Sequence, residues 1–273
     1  MDWLYEKNRD NTSRYVLGIV GKKPLICFGV NPSTAEPNNL DPTLKSVARI
    51  SSANGFDSWI MLNIYPQRST NPDELHSQRE YSLHEENMHR IKKIIQEYQP
   101  TIWAAWGSII TKRQYLINCL YNIVDLSKEY QCQWVNAGQV SKQGHPHHPL
   151  YLKRTAQLNS FDIDEYIKKA SIKSVFSYIK AFENKDKYYD NNFYESLERA
   201  GFIDYDYGSK FTTAPINMDE ELKRLKKADY NLTKALITGI LREDHFSNGS
   251  FEKRVENGDV SRVLRKLRRF CMS

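Results

Sequence analysis

Three short apolar runs and a fourth strand-like segment in the first half of the chain constrain its fold more than any other feature. They span residues 25–29, 59–63, 102–106 and 133–136, and amphipathic stretches separate them. Runs of this length suit buried strands better than helices. Strands that alternate with helices form mostly parallel sheets with helices on both faces. The pattern therefore predicts a three-layer α/β/α sandwich around a central, mostly parallel four-stranded sheet.

Two further local signals fit such a domain. Residues 15–20 form another apolar segment, which precedes the first run across a short turn at 21–23 and is expected to pair with it. Asp41 and Pro42 open a helix after the first run. An aspartate caps a helix N-terminus well, and proline is tolerated at the first helical position.

The chain changes character near residue 165. Beyond that point it is charged and has helical periodicity, without further apolar strand runs. The predicted helices span residues 163–182, 193–200, 230–241 and 260–270. We therefore expect an α/β domain at residues 1–165 and a small, mainly helical accessory domain at residues 166–273.

Most of the net charge of +6 belongs to the second domain. Residues 1–165 carry 18 Lys and Arg against 17 Asp and Glu, whereas residues 166–273 carry 21 against 16. Residues 261–270 hold five basic residues and no acidic one. This segment is either a helix that contacts phosphates or an ordinary solvated helix face. The first interpretation assigns phosphate contacts to Arg265, Lys266, Arg268 and Arg269.

Targeting signals and metal motifs are missing from the sequence. No stretch approaches the ~20 apolar residues that span a bilayer, and the charged first ten residues precede no apolar signal region. The four cysteines lie far apart and form no C-x-x-C pair, which argues against a disulfide framework or a zinc site. We expect a cytoplasmic protein without metal or cofactor.

Unusual polar residues follow every predicted strand of the first domain. GVNPS (29–33) follows the first strand, Asn63 ends the second, GS (107–108) follows the third and GHPHHP (144–149, the His/Pro loop) follows the fourth. Ligands of parallel sheets bind beyond the carboxyl ends of the strands. The sequence therefore predicts a binding pocket at this edge of the sheet.

Each of these groups allows more than one interpretation. The Asn31 amide can hold a water molecule or a base edge, although an Asn-Pro turn after a strand is commonly only a turn. A buried Asn63 needs hydrogen-bond partners, which a nucleobase edge or a loop backbone can provide. An imidazole of the His/Pro loop suits an anionic leaving group better than a metal, because no carboxylate or cysteine lies at ligand spacing.

Together these motifs resemble the uracil-DNA glycosylase superfamily over about residues 20–155. GVNP (29–32) is similar to the Gly-Ile-Asn-Pro water-activating motif of its mismatch-specific branch, and MLN (61–63) to the Leu-Leu-Asn strand whose asparagine reads the flipped base. WAAWGSIITKR (103–113) resembles the strand-to-helix junction of that superfamily. HPL (148–150) resembles the start of its His-Pro-Ser-Pro-Leu loop.

A closer resemblance is to a bacterial and phage family that has no assigned function. It rests on NPSTA (31–35), DPT (41–43) and HPLYL (148–152). The segment LITGILREDHF (236–246), with the glycines that follow it, resembles a second small helical domain. This last resemblance implies no activity.

The superfamily resemblance implies a monofunctional DNA glycosylase that flips a base out of DNA and hydrolyses its N-glycosidic bond. Asn31 would hold the attacking water, and His148 would stabilise the departing base. Matching the His/Pro loop with a one-residue insertion assigns that second role to His145 instead. Asn63 would read the base edge. The other substrate-binding residues implied are Gly29, Pro32, Ser33, Thr34 and Asp41.

The resemblance also implies contacts to the DNA around the flipped nucleotide. Leu150 or Tyr151 would wedge into the vacated stack. The candidates for phosphate contacts in this domain are Ser108, Lys142, Lys153 and Arg154, for each of which surface solvation is the alternative. Since no lysine is placed as a Schiff-base nucleophile, the expected product is an abasic site.

Two departures from the superfamily affect the expected substrate. Asn31 stands where the most active branch has aspartate, so it can position water but cannot take a proton. No tyrosine follows Pro32, and the smaller Ser33 and Thr34 leave room for a substituted pyrimidine. The expected base is a modified pyrimidine, for example hydroxymethylated or glucosylated cytosine of phage DNA, removed in antiviral defence.

A second class of function remains open on the sequence alone. In it the pocket binds a nucleotide or nucleic acid without catalysis, and the helical domain recruits a partner. A small-molecule transferase on a flavodoxin-like sheet would need a phosphate-binding glycine loop, and the sequence has no G-x-G-x-x-G or P-loop motif.

Overall fold

The computed structural model describes residues 2–184 and 191–271. The chain divides into two compact units, Met1–Tyr166 and Ile167–Ser273. Each unit has an apolar core of its own. No helix within the described residues is both long and apolar enough to cross a membrane.

A seven-stranded mixed sheet forms the centre of the first unit. Its strands follow the spatial order β1-β2-β4-β3-β5-β6-β7. They are β1 (Trp3–Lys7), β2 (Arg14–Ile19), β3 (Pro24–Gly29), β4 (Ser58–Asn63), β5 (Thr101–Ala104), β6 (Gln133–Ala137) and β7 (Leu158–Ser160). The strands β4, β3, β5 and β6 are parallel to one another. The strands β1, β2 and β7 pair antiparallel with their neighbours.

The predicted sheet was therefore too small and too parallel. The four predicted runs are the central strands, but β1, β2 and β7 extend the sheet on both sides. β1 and β7 are half-buried or exposed along their length, so they carry too little apolar pattern to be distinguished from loops. The pairing predicted between residues 15–20 and β3 is also wrong. β3 is flanked by β4 and β5, and β2 therefore pairs with β4 instead.

Three helices connect the parallel strands: α1 (Pro42–Ala53), α2 (Tyr81–Tyr98) and α3 (Gln114–Glu129). α1 begins as predicted, because the Asp41 carboxylate accepts a hydrogen bond from the Leu44 N–H at 2.8 Å. One core cluster joins α1 to the sheet through Leu44, Val47 and Ile50. The N-terminus of α1 thus lies close to the carboxyl end of β3.

The second unit is helical, with α4 (Ile163–Glu183) beginning in the first unit. The remaining helices are α5 (Asn191–Arg199), α6 (Met218–Lys223), α7 (Tyr230–Phe246), α8 (Ser250–Glu256) and α9 (Asp259–Cys271). Phe182, Phe193 and Phe251 lie at the centre of its core. α6 and α8 were not predicted, because six or seven residues are too few to establish a helical period.

Candidate functional site

A pocket lies where the carboxyl ends of the parallel strands meet the start of α1; we call it the strand-end pocket. Its volume is about 70 Å³, and a water molecule needs roughly 10–15 Å³ of such space. It therefore has room for several waters or for part of a small ligand. The lining residues are Arg14, Gly29, Val30, Asn31, Ser33, Asp41, Thr43, Leu44, Met61, Trp106, Ile109 and His148.

Asn31 enters this pocket with a fixed amide orientation. Its Nδ2 donates to the backbone carbonyls of Ser69 at 2.9 Å and Pro32 at 3.1 Å. Because a carbonyl oxygen can only accept, the NH₂ group must be the one that faces them. Oδ1 has no hydrogen bond within the described residues. Asn31 thus offers the pocket one oriented acceptor atom.

His148 offers a donor in the same pocket. Its Nδ1 accepts from the Leu150 N–H at 3.4 Å, which places the proton of the neutral ring on Nε2. Burial lowers the His148 pKa, and the Asp41 carboxylate opposes this only in part. At neutral pH the side chain is therefore an uncharged imidazole with an Nε2–H donor.

The lowered His148 pKa should make stability depend on pH. An unfolded histidine titrates near a pKa of about 6.5, so below that pH the unfolded chain binds this proton more readily than the folded chain. We expect the free energy of unfolding to fall between pH 7.5 and pH 5.5 in urea titrations. The fall should be smaller in His148→Gln and unchanged in His89→Gln, whose side chain is exposed. Equal falls in the wild type and His148→Gln would contradict this account.

His145 does not line the pocket. It is buried, and its Nδ1 lies 3.0 Å from the Tyr166 hydroxyl. The Trp106 indole donates to the same hydroxyl at 3.0 Å. Because Trp106 lines the pocket, Tyr166 and Trp106 connect His145 to it.

Asn63 lies immediately behind the pocket wall. It is fully buried, and neither its Nδ2 nor its Oδ1 has a hydrogen-bond partner among the described residues. Gly29 is its register partner on β3. A Cβ on Gly29 would lie 3.4 Å from Asn63 Oδ1 and only 2.6 Å from Met61 Cε. The Met61 Cε methyl therefore lies beside Gly29, and Asn63 is buried behind these two lining residues with its amide donor and acceptor both unused among the described residues.

The other predicted substrate-binding residues divide into two groups. Gly29, Ser33 and Asp41 line the pocket, whereas Pro32 and Thr34 do not. Asp41 is held in place by its role as the N-cap of α1.

The DNA-contacting residues predicted in the first unit are all exposed: Ser108, Lys142, Leu150, Tyr151, Lys153 and Arg154. Tyr151 is 80% exposed, and its ring lies 6.0 Å from the His148 ring between centroids. The exposed side chains of Leu150 and Tyr151 therefore lie close to His148, which lines the pocket.

The basic residues predicted to contact phosphates in the second unit lie on α9. Arg265 forms an ion pair with Glu183. Lys266 donates to the Lys226 carbonyl at 3.3 Å and lies over the Phe270 ring. Arg268 and Arg269 are exposed. Two of the four cations are thus already engaged within their own unit, which favours a solvated face for them.

Sequence reasoning missed Arg14 entirely. Arg14 is 2% exposed, begins β2 and lines the pocket. The only local signal was an arginine at the edge of an apolar segment, which gives no hint of burial. The other lining residues not predicted were Val30, Thr43, Leu44, Met61, Trp106 and Ile109. Within the described residues, no group of three or more His, Cys, Asp or Glu side chains is placed to hold a metal ion.

Comparisons with known proteins identify two family models in the chain. Residues 14–150 match the model described as a protein of unknown function, DUF1643, and residues 187–273 match a family of unknown function, DUF6508. No curated protein and no solved structure matches the chain. The first match covers just over half of the chain and includes every pocket residue from Arg14 to His148. The chain therefore belongs to the DUF1643 family.

Proposed function

We propose that this protein is a cytosolic, monofunctional DNA glycosylase that releases a modified pyrimidine from DNA. The observation that carries the proposal is the presence of an oriented acceptor, Asn31 Oδ1, and a neutral imidazole donor, His148, in one strand-end pocket. Hydrolysis of an N-glycosidic bond needs a positioned water and stabilisation of the charge on the departing base. The resemblance to the uracil-DNA glycosylase superfamily in the same residues supports this assignment.

The reaction follows from these two groups. The bond between C1′ and the base nitrogen breaks, its electron pair leaves with the base, and the sugar becomes an oxocarbenium ion. The His148 Nε2–H donates a hydrogen bond to the base oxygen on which negative charge develops. The water held by Asn31 Oδ1 then adds to C1′. Its proton passes to solvent or to the departing base, because an amide cannot take it.

Base recognition in this proposal uses the unpaired amide of Asn63. A pyrimidine edge presents a donor and an acceptor, which the two unused amide atoms match. Because Asn63 is fully buried, a lining side chain must move aside for that contact, and the unbranched thioether of Met61 has the rotamer freedom to do so. Trp106, at the pocket wall, offers an aromatic surface. Leu150 and Tyr151 are exposed beside His148 and would fill the gap in the base stack.

The expected product is an abasic site. A bifunctional enzyme needs a lysine that attacks C1′ as a Schiff-base nucleophile, and the described lining residues include none. The serine at position 33, in place of a bulky aromatic side chain, supports a substituted base. Removal of hydroxymethylated or glucosylated cytosine from phage DNA would serve antiviral defence.

An abasic-site assay tests the proposal. The full chain is incubated with single- and double-stranded DNA that carries cytosine, uracil, hydroxymethylcytosine or glucosylated hydroxymethylcytosine, and alkali then cleaves any abasic site. We expect strand breaks with a modified pyrimidine and none with cytosine. Equal release from modified and unmodified DNA would rule out a role in defence. No release from any substrate would overturn the glycosylase assignment.

One observation favours a second candidate, a non-catalytic nucleotide-binding module. The side chain at the water-holding position is an amide, and its NH₂ group is committed to two backbone carbonyls. Such a site can bind a base without activating water. Nucleic-acid binding that persists without any abasic product in the same assay would establish this function instead.

A further inference from the structure

Arg14 is a buried cation that lacks a full set of partners. Its Nη1 donates to the Ala35 carbonyl at 3.1 Å. Within the described residues its Nε and Nη2 have no hydrogen bond, and no carboxylate lies at ion-pair distance. Arginine is almost never fully buried unless it is paired. Because Arg14 lines the strand-end pocket, a ligand can supply the missing acceptor.

A second guanidinium, that of Arg68, lies close enough to Arg14 to interact with it electrostatically. Arg68 donates to the Ser33 carbonyl and to the Tyr5 hydroxyl, and it forms an ion pair with Glu36 at 3.9 Å. Burial, together with the Arg68 charge, lowers the Arg14 pKa to about 10, so Arg14 remains a cation at neutral pH.

The N-terminus of α1 adds a further donor. Pro42 has no N–H, and the N–H of Leu44 is bound by the Asp41 carboxylate. The N–H of Thr43 has no hydrogen bond within the described residues, and Thr43 lines the pocket. A free N–H at a helix N-terminus attracts anions. The Asp41 carboxylate also lines the pocket and interacts electrostatically with Arg14, while its Oδ1 caps the helix.

We infer that this end of the strand-end pocket binds an oxyanion of the substrate, held by the Arg14 guanidinium and the N-terminus of α1. The inference rests on the proposed function, which takes the ligand to be a nucleotide. Two nucleotide groups have this chemistry: a phosphate, and a carboxylate substituent on the base. A guanidinium binds either group through two parallel N–H donors.

Titration calorimetry on the full chain tests the inference with three ligands. Deoxycytidine has no oxyanion, dCMP adds a phosphate, and 5-carboxydeoxycytidine adds a carboxylate to the base. We expect at least one charged ligand to bind about tenfold tighter than deoxycytidine, which corresponds to about 1.4 kcal/mol. A preference for dCMP identifies the phosphate as the source, and a preference for 5-carboxydeoxycytidine identifies the base substituent.

Variants assign the preference to Arg14. Arg14→Gln should abolish it, and Arg14→Lys should reduce it, because one ammonium cannot make the paired contact. Arg49→Gln is the matched control, since Arg49 is exposed on α1 and does not line the pocket. If Arg14→Gln does not fold, Arg14→Lys and competition by inorganic phosphate against chloride at equal ionic strength decide the matter on folded protein.

Three results would overturn the inference: equal affinities of the wild type for charged and uncharged ligands, no measurable binding of any of them, or a preference that survives in Arg14→Gln. The outcome is separable from the proposed function. A chain that prefers oxyanions but releases no base contradicts the glycosylase assignment alone. A chain that releases base without such a preference contradicts the Arg14 site alone.

Discussion

Asn31→Ala is expected to reduce base release by about 100- to 1000-fold, which is typical of removing one positioned polar group from an active site. The variant loses the Oδ1 acceptor that would hold water. It also loses the Nδ2 donations to Ser69 and Pro32 that keep the turn after β3 in place. The measurement is the single-turnover rate of abasic-site formation on the modified DNA, at a temperature where circular dichroism shows the variant to be folded.

Two further variants sharpen that result. Asn31→Asp is expected to lose activity as well, because a carboxylate cannot donate to the two carbonyls that now receive the Nδ2 protons. Asn159→Ala removes an exposed amide on β7 and should leave the rate unchanged. Full activity in Asn31→Ala would remove this residue from the mechanism.

Glu221→Ala is expected to destabilise the second unit by about 1–3 kcal/mol. Glu221 is fully buried, and one oxygen accepts from the backbone and hydroxyl groups of Thr212 and Thr213 at 2.7–3.1 Å. The other oxygen pairs with Arg224. Although burial raises the Glu221 pKa, the hydrogen bonds from Arg224 and the threonines outweigh it and lower the pKa to about 2. Removing the carboxylate takes the shared acceptor away from the partly buried hydrogen bonds of Thr212 and Thr213 and from Arg224.

Hydrogen exchange resolves this effect within the full chain. Amides of residues 207–246 should exchange about one to two orders of magnitude faster in Glu221→Ala, as expected from about 1.4 kcal/mol per tenfold change. Amides of the first unit should not change. Glu220→Ala is the matched control, because the neighbouring Glu220 is exposed and forms an ion pair with the exposed Lys223. Equal exchange rates in the two variants would show that the buried Glu221 carboxylate stabilises the second unit no more than the exposed Glu220 does.

Much of the first unit could be predicted because its signals are local. The central strands β3, β4 and β5 are built on apolar runs, and the Asp41 side chain caps α1. The pairing of β2 could not be predicted from local signals. Its pairing with β4 depends on β3 already having two parallel neighbours, which no window of sequence contains.

The pocket residues likewise divide into those that local sequence signals reveal and those that they do not. Asn31 and His148 could be found from sequence because each follows a predicted strand, and the carboxyl ends of parallel strands meet at one edge. Arg14 could not, because it begins an antiparallel strand. Only the pairing of β2 with β4 brings that beginning to the edge where the parallel strands end.

His145 and His148 lie in one short loop, and they show most clearly what the sequence determines and what the tertiary structure determines. By itself, the sequence determined the parallel core, the edge that holds the polar residues and the candidates on it, since these depend on local pattern and chain order. Only the tertiary structure decided that His148 lines the pocket while His145 contacts Tyr166, and that Asn63 is buried behind the lining residues Gly29 and Met61. Those outcomes depend on packing between residues far apart in the chain, where a few ångströms separate a lining side chain from a buried one.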